Sequence, residues 1–173
     1  MSGFIAAGFP AAPTPMQMFL LQSLVTTVLD PLREAIGRPI VIDSGSYRDE
    51  AKYQAMLAHY NPSPTSDHFW AQAIPAVTED VKTVFGPFFT FGVGAVDVTF
   101  PQGPDLKTVF DRVRSLNLPV GQCILESSGP NSKWIHLSNP KQLCYTQPLL
   151  KALNMIRPQY MTSTDNGKTY QAV

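Results

Sequence analysis

The amino-acid sequence predicts an α+β domain, with a small, mostly antiparallel sheet and flanking helices. The first observation is length, because 173 residues suffice for one domain with a sizeable core. The second is composition, because 44% hydrophobic and 15% charged residues are ordinary for a folded soluble protein. The third is the pattern, in which short β-branched runs and segments of helical spacing follow one another without repeats.

Each element is predicted from its periodicity and from the residues that end it. Apolar residues recur at helical spacing from residue 16 until Gly37 ends the helix, and Asp30-Pro31 is a place where that helix can divide. A β-branched run follows Pro39, and a turn rich in proline and glycine precedes the third helix. We therefore expect helices at 16–36, 49–59, 105–116 and 147–156, and strands at 39–42, 93–100, 120–126 and 133–138, the last two joined by a loop at 127–132.

These elements form a single domain at 16–156. An irregular arm at 1–15 precedes the domain. A polar C-terminal tail at 157–173 follows it, and we expect this tail to be extended or loose.

Charge and hydropathy exclude two classes of partner. The formal net charge is zero and the pI is about 6.8, so the basic patch of a nucleic-acid binder is not expected. No run approaches the length of a membrane span, and the apolar start lacks the positive residues of a signal peptide. Cys123 and Cys144 lack the spacing of a disulfide framework or a zinc cluster, so we expect two buried free thiols.

The three histidines are candidates for metal binding or base catalysis. His59 ends a predicted helix, where a surface histidine compatible with the helix dipole is expected. His68 follows a proline-rich loop, and His136 alternates with Trp134 on a predicted strand. Taken singly, His68 and His136 also fit hydrogen-bonded core histidines.

Two carboxylates complete a pattern that suits zinc catalysis. A catalytic zinc takes three protein ligands and an open position, with a nearby carboxylate to accept a proton. Asp97 lies between Val96 and Val98, where burial is costly unless the carboxylate is paired or binds a metal. The alternative for Asp97 is an exposed position on an edge strand. Glu126 ends another predicted strand.

Four motifs resemble the hedgehog/DD-peptidase family of zinc peptidases, which includes D-Ala-D-Ala carboxypeptidases and phage L-alanyl-D-glutamate endopeptidases. Ser44-Gly45-Ser46-Tyr47-Arg48 is similar to the family's Ser-Gly-Tyr-Arg segment with one extra residue. The Ser-x-His, Gln-x-x-x-Glu and Trp-x-His patterns are matched by Ser66-Asp67-His68, Gln122-Cys123-Ile124-Leu125-Glu126 and Trp134-Ile135-His136. The resemblance covers about 40–138 and implies a hedgehog/DD-peptidase-like fold.

The chain departs from this family between its first histidine and its aspartate. The family's aspartate follows seven positions after the histidine, where this chain has Pro75. Asp97 stands 29 positions after His68, and Val93 occupies the place of a motif glycine. We interpret the difference as an insertion of 22 residues at about 71–92, which would lie beside the metal as a lid or substrate wall. If Asp97 does not reach the metal, the domain is a degenerate, non-catalytic relative.

The resemblance implies a role for each site residue. His68, Asp97 and His136 would hold Zn²⁺, and Glu126 would be the general base. Arg48 would bind a substrate carboxylate, because its planar fork matches that geometry. Ser66 would hydrogen-bond substrate or orient its loop.

Other roles for the motif residues stay open at this point. Arg48 also fits a helix-start arginine paired with Asp43 or Asp49. Asp67 is expected to cap or solvate its loop, and Trp134 to lie in the core rather than to form a substrate platform.

The resemblance implies hydrolysis of peptidoglycan stem peptides, by a D,D-carboxypeptidase or an L-Ala-D-Glu endopeptidase encoded by a phage. Such a protein acts on the cell wall either as part of the virion, beside other tail or baseplate proteins, or as an endolysin released from the host cytoplasm. The alternative from a different class is a non-catalytic tail or baseplate protein that retains the fold.

Overall fold

The computed structural model describes residues 8–44, 46–59, 66–75, 88–145, 147–152, 156 and 159–173. Five α-helices lie in this part of the chain: α1 Pro15–Leu24, α2 Asp30–Ile36, α3 Glu50–Leu57, α4 Leu106–Ser115 and α5 Gln147–Ala152. Eight strands accompany them: β1 Val41–Ile42, β2 Trp70–Pro75, β3 Phe88–Val93, β4 Ala95–Thr99, β5 Cys123–Gly129, β6 Ser132–Ser138, β7 Tyr160–Ser163 and β8 Gln171–Ala172. The predicted α+β class is therefore confirmed.

Six strands form the main sheet, in the order β1-β4-β6-β5-β7-β8. Every neighbouring pair is antiparallel except β5 and β7, which run parallel. The two longest strands, β5 and β6, lie in the middle of the sheet. The sheet is thus open and mostly antiparallel, as the sequence predicts.

The main sheet has one apolar face and one polar face. Val96 and Val98 of β4 and Ile135 and Leu137 of β6 are fully buried in the core cluster. The helices contribute further members of this cluster, among them Leu20, Leu24, Leu32, Val109, Phe110 and Val113. Since successive side chains of a strand point to opposite faces, the intervening residues of β4 and β6 emerge on the other side.

The first helical region is continuous but changes its hydrogen bonding. Thr14 caps α1 in a reciprocal pair with Gln17, and Gly37 ends α2 in a left-handed conformation. A π-helical turn, Val25–Leu29, joins the two α-helices just before Pro31. The expected division at Asp30-Pro31 is therefore found as the start of a second α-helix, although the π-helical turn keeps the helical path continuous.

The region expected to be an insertion contains a separate two-stranded hairpin. Strands β2 and β3 pair antiparallel, and Trp70 lies opposite Val93. Residues 76–87 of the expected insertion lie outside the described residues. Because Trp70 at the start of β2 pairs with Val93 at the end of β3, β4 begins close to the segment that contains His68.

The two expectations about connections have different outcomes. The tail, expected to be extended or loose, is extended, because β7 and β8 continue the main sheet beyond β5. The loop expected at 127–132 is shorter, because β5 and β6 continue around a bulge near Ser127 and leave only Pro130 and Asn131 between them.

Three smaller observations complete the fold. Cys123 is buried, whereas Cys144 is only partly buried, and both are free thiols. In the arm, Phe9 is buried against Trp70, with ring centroids 4.8 Å apart. Among the described helices, none has the length and apolar character needed to cross a bilayer.

Candidate metal centre

Two adjacent strands place Asp97 and His136 side by side. Asp97 of β4 lies directly opposite His136 of β6 in the antiparallel register. Both side chains therefore project from the polar face, opposite the apolar core. Strand β4 is interior, between β1 and β6, so the edge-strand alternative for Asp97 is wrong.

His68 joins this pair from the segment that enters β2. Its Nε2 lies 3.3 Å from Asp97 Oδ2 and 3.1 Å from His136 Nδ1. His136 Nδ1 lies 3.2 Å from Asp97 Oδ1. Four-coordinate zinc with bonds of about 2.0–2.1 Å separates neighbouring ligand atoms by about 3.3–3.4 Å. The three side chains thus form a largely buried group that could hold a metal ion.

Ser46 orients His68, a role that the sequence does not predict. The Ser46 carbonyl oxygen accepts from His68 Nδ1 at 3.1 Å and from Trp70 Nε1 at 3.3 Å. Because a carbonyl only accepts hydrogen bonds, this contact places a proton on Nδ1 and leaves Nε2 as the atom that a metal could bind. The Ser46 hydroxyl also accepts from the backbone N–H of Asp97 at 2.9 Å, so Ser46 contacts both of these candidate ligands.

The electrostatics of the cluster keep Asp97 ionised. Burial alone would raise its pKa, but the charge of His68 and the hydrogen bonds from both histidines more than offset this, so the pKa of Asp97 is lowered. Burial lowers the pKa of His68. Burial acts in the same direction on His136, but the hydrogen bond and charge of Asp97 outweigh it, so the pKa of His136 is raised. An ionised carboxylate and an imidazole that readily loses its proton are suitable metal ligands.

Asp67 is buried in an ion pair rather than capping its loop. Its Oδ1 lies 2.8 Å from Lys141 Nζ, and its side chain is only 2% exposed. Its second oxygen and the His136 Nε2 atom are both buried without a hydrogen-bond partner among the residues that the structure describes. The charge of Asp67 contributes to the raised pKa of His136, so this ion pair acts on the cluster.

Glu126 lies on the same polar face of the main sheet as Asp97 and His136, on β5, which is the strand next to β6. It is opposite Trp134, two positions from His136 along β6, and only 8% of its surface is exposed. Burial raises the pKa of Glu126, and the positive charges of His136 and Arg48 act in the opposite direction. A buried carboxylate that binds a proton more readily than usual suits general base catalysis.

The two residues expected to bind substrate contact each other. Arg48 Nη1 donates to Ser66 Oγ at 3.1 Å, and the backbone of Arg48 donates to the His68 carbonyl at 3.1 Å. The charge of Arg48 helps to lower the pKa values of both His68 and Glu126, so its guanidinium is part of the site's electrostatics.

Trp134 and His59 lie outside the ligand cluster. Trp134 shares the polar face with Glu126 and is partly exposed, so its expected place in the core is wrong. His59 is exposed just after α3, as expected.

Comparisons with protein-family models, with curated proteins and with solved structures found no match for this chain.

Proposed function

We propose that this protein is a zinc-dependent peptidase, with a hedgehog/DD-peptidase-like fold, that hydrolyses peptidoglycan stem peptides. The observation that carries the proposal is the grouping of His68, Asp97 and His136 around one point, with buried Glu126 on the same face of the sheet.

The donor set favours zinc over other common divalent ions. Two imidazole nitrogens and one carboxylate form a mixed set of three ligands, which is typical of catalytic zinc sites. Magnesium and calcium prefer sites built wholly from oxygen atoms. A zinc ion bound by these three residues would polarise a peptide carbonyl and acidify a water molecule.

Glu126 supplies the proton transfer that hydrolysis requires. Its carboxylate would accept the proton of the attacking water and deliver it to the amine of the leaving group. Its burial favours this use, because the free energies of the protonated and ionised forms are brought closer together.

Arg48 and Ser66 are placed to bind the substrate. A guanidinium binds carboxylates through paired hydrogen bonds, and stem peptides carry free carboxylates. The Arg48–Ser66 contact holds both groups beside His68, so a substrate carboxylate bound there would orient the peptide at the cluster. The assignment of peptidoglycan as substrate rests on the motif resemblance.

The proposal is tested with purified muropeptides that contain intact stem peptides. Zinc-loaded protein should cleave them, protein treated with a chelator should not, and mass spectrometry should distinguish release of D-Ala from cleavage between L-Ala and D-Glu. Glu126→Gln is the matched control, because it preserves side-chain volume and removes the base. Stoichiometric zinc without any cleavage would contradict the proposal and favour the non-catalytic virion protein.

A further inference from the structure

The C-terminal hairpin, formed by β7 and β8, reaches the polar face of the main sheet. Strand β7 pairs in parallel with β5, and Ser163 lies opposite Glu126. The chain then turns back through residues 164–170 into β8. Because paired residues of neighbouring strands share a face, the turn begins on the side that carries Glu126.

Hydrogen bonds hold this turn in one shape. Asp165 accepts from the Ser163 hydroxyl, from the Thr169 hydroxyl and from the backbone N–H groups of Lys168 and Thr169, at 2.6–3.1 Å. Backbone N–H groups also tie Gly167 to Ser163 Oγ and Asn166 to the Ser127 carbonyl, both at 3.0 Å. The turn is thus anchored at its base and to β5 immediately after Glu126.

Gly167 brings the turn against the Glu126 carboxylate. A Cβ atom built on Gly167 would lie 3.3 Å from Glu126 Oε2 and 2.8 Å from the Tyr170 hydroxyl oxygen. The positive φ of 71° also favours glycine here. The space between the turn and the carboxylate therefore admits a glycine and no larger residue without a shift.

The same two distances limit the separation of Tyr170 from Glu126. The Tyr170 hydroxyl oxygen lies 2.8 Å and Glu126 Oε2 lies 3.3 Å from the same Cβ position, so these two oxygens are at most 6.1 Å apart. Two hydrogen bonds that meet at one tetrahedral atom join oxygens about 4.5 Å apart, a separation that lies within this limit. A water or a substrate amine placed between the two oxygens could then contact both groups. Tyr170 is 49% exposed, so the residue keeps contact with solvent.

We propose that the turn at residues 163–170 is an active-site wall that covers the Glu126 carboxylate and places the Tyr170 hydroxyl beside it. Tyr170 is then a positioning residue for the proton that Glu126 accepts and delivers. This inference rests on the proposed peptidase function for its catalytic role, whereas the covering of Glu126 can be tested without any activity.

The first experiment measures the accessibility of Glu126 directly. The full-length protein is labelled with a carbodiimide and glycine ethyl ester, and the labelled carboxylates are quantified by peptide mass spectrometry. Asp165→Ala removes the acceptor that holds the turn and should increase labelling of Glu126 several-fold. Asp105→Ala is the matched control, because Asp105 holds Thr108 at the start of α4 in the same way but belongs to the helix that packs on the core.

Buried Asp67 serves as an internal reference in each variant. Increased labelling at Glu126 with unchanged labelling at Asp67 supports a local cover. Equal increases at both residues, or no increase at Glu126 in Asp165→Ala, would overturn the proposed wall, because the turn would then act only on global stability or not at all.

The second experiment measures the catalytic role on the muropeptide substrate. Tyr170→Phe removes only the hydroxyl, so kcat should fall about tenfold while KM and zinc content stay unchanged. Lys168→Ala is the control within the same turn, because exposed Lys168 contacts Asp165 through its backbone N–H. An unchanged kcat in Tyr170→Phe would overturn the positioning role, and a wild-type protein without activity would contradict the peptidase proposal while leaving the labelling result to decide the wall.

Discussion

The metal-ligand side and the Glu126 side of the site are supported by different parts of the chain. Asp97 and His136 lie on interior strands, and Ser46 ties His68 and Asp97 together through its own backbone and side chain. Glu126 instead depends on the turn of the C-terminal hairpin for its cover. The geometry of the candidate ligands is therefore built into the centre of the fold, whereas the environment of the proposed base is completed from the edge of the sheet.

The largest expected effect distinguishes the proposed base, Glu126, from the three proposed metal ligands. Glu126→Gln should lower kcat by about 10²–10⁴-fold and retain zinc, because it removes a proton acceptor without removing a ligand. His136→Ala should instead lose tight zinc binding together with activity. Both variants are measured by muropeptide hydrolysis and by elemental analysis after dialysis. Loss of zinc in Glu126→Gln would move Glu126 to the ligand side and contradict the assignment.

The next effect concerns the buried ion pair between Asp67 and Lys141. Lys141→Met should lower the free energy of unfolding by about 3 kcal/mol, because it leaves the Asp67 carboxylate buried without its cation. Urea denaturation measures this change. Lys107→Met is the control, because its pair with Asp111 is exposed and should contribute about 0.5 kcal/mol or less. Equal effects in the two variants would mean that the Asp67–Lys141 pair has no special role in the fold.

A smaller effect is expected at Ser46. Ser46→Ala removes a hydroxyl that accepts from the Asp97 backbone at 2.9 Å but keeps the carbonyl that contacts His68. Zinc affinity should fall about tenfold, because the support of one ligand is weakened while all three ligands remain. Competition with a chelator measures this affinity, and Ser115→Ala on the exposed end of α4 should leave it unchanged. Complete loss of zinc would show that Ser46 is more than a support.

The smallest effect is expected when the pH is lowered, and it concerns Asp165 in the hairpin turn. Hydrogen bonds from the side chain and backbone of Thr169 lower the pKa of Asp165 from 3.8 to about 2. Because the folded-state pKa is depressed, the contribution of Asp165 to stability is fully present above about pH 4 and is lost as the pH falls through about 2.

Hydrogen exchange of the Lys168 and Thr169 amides, measured across this range, should show protection that decreases in that window. Asp165→Asn should remove the pH dependence. Protection that is constant down to pH 2 would contradict the role of the ionised carboxylate in holding the turn.

The sequence predicts the α+β class and the residues that meet at the site. It does so because the signals lie in short stretches of neighbouring residues. Asp97 stood out as a carboxylate in an apolar strand, and His136 alternated with Trp134 on another. The 29 positions between His68 and Asp97 did not prevent their contact, because β2 and β3 pair and return the chain to its starting point.

The residues that the sequence did not predict depend on contacts distant in the chain. Lys141 pairs with Asp67 across 74 positions, and no local pattern indicates that pair. The role of Ser46 comes from its carbonyl as much as from its side chain, which no residue type reveals. The polar composition of residues 157–173 predicted an extended or loose tail and no strand pairing. The segment Tyr160–Ser163 does not alternate in polarity, and its alternating burial arises only from pairing with β5.

Zinc content, measured by elemental mass spectrometry on dialysed wild-type protein and on Asp97→Ala, tests whether His68, Asp97 and His136 form a metal site. We expect about one zinc per wild-type chain and almost none in the variant, because the cluster needs all three ligands. A wild-type protein that takes up no zinc, or an Asp97→Ala protein that keeps a full equivalent, would contradict this assignment.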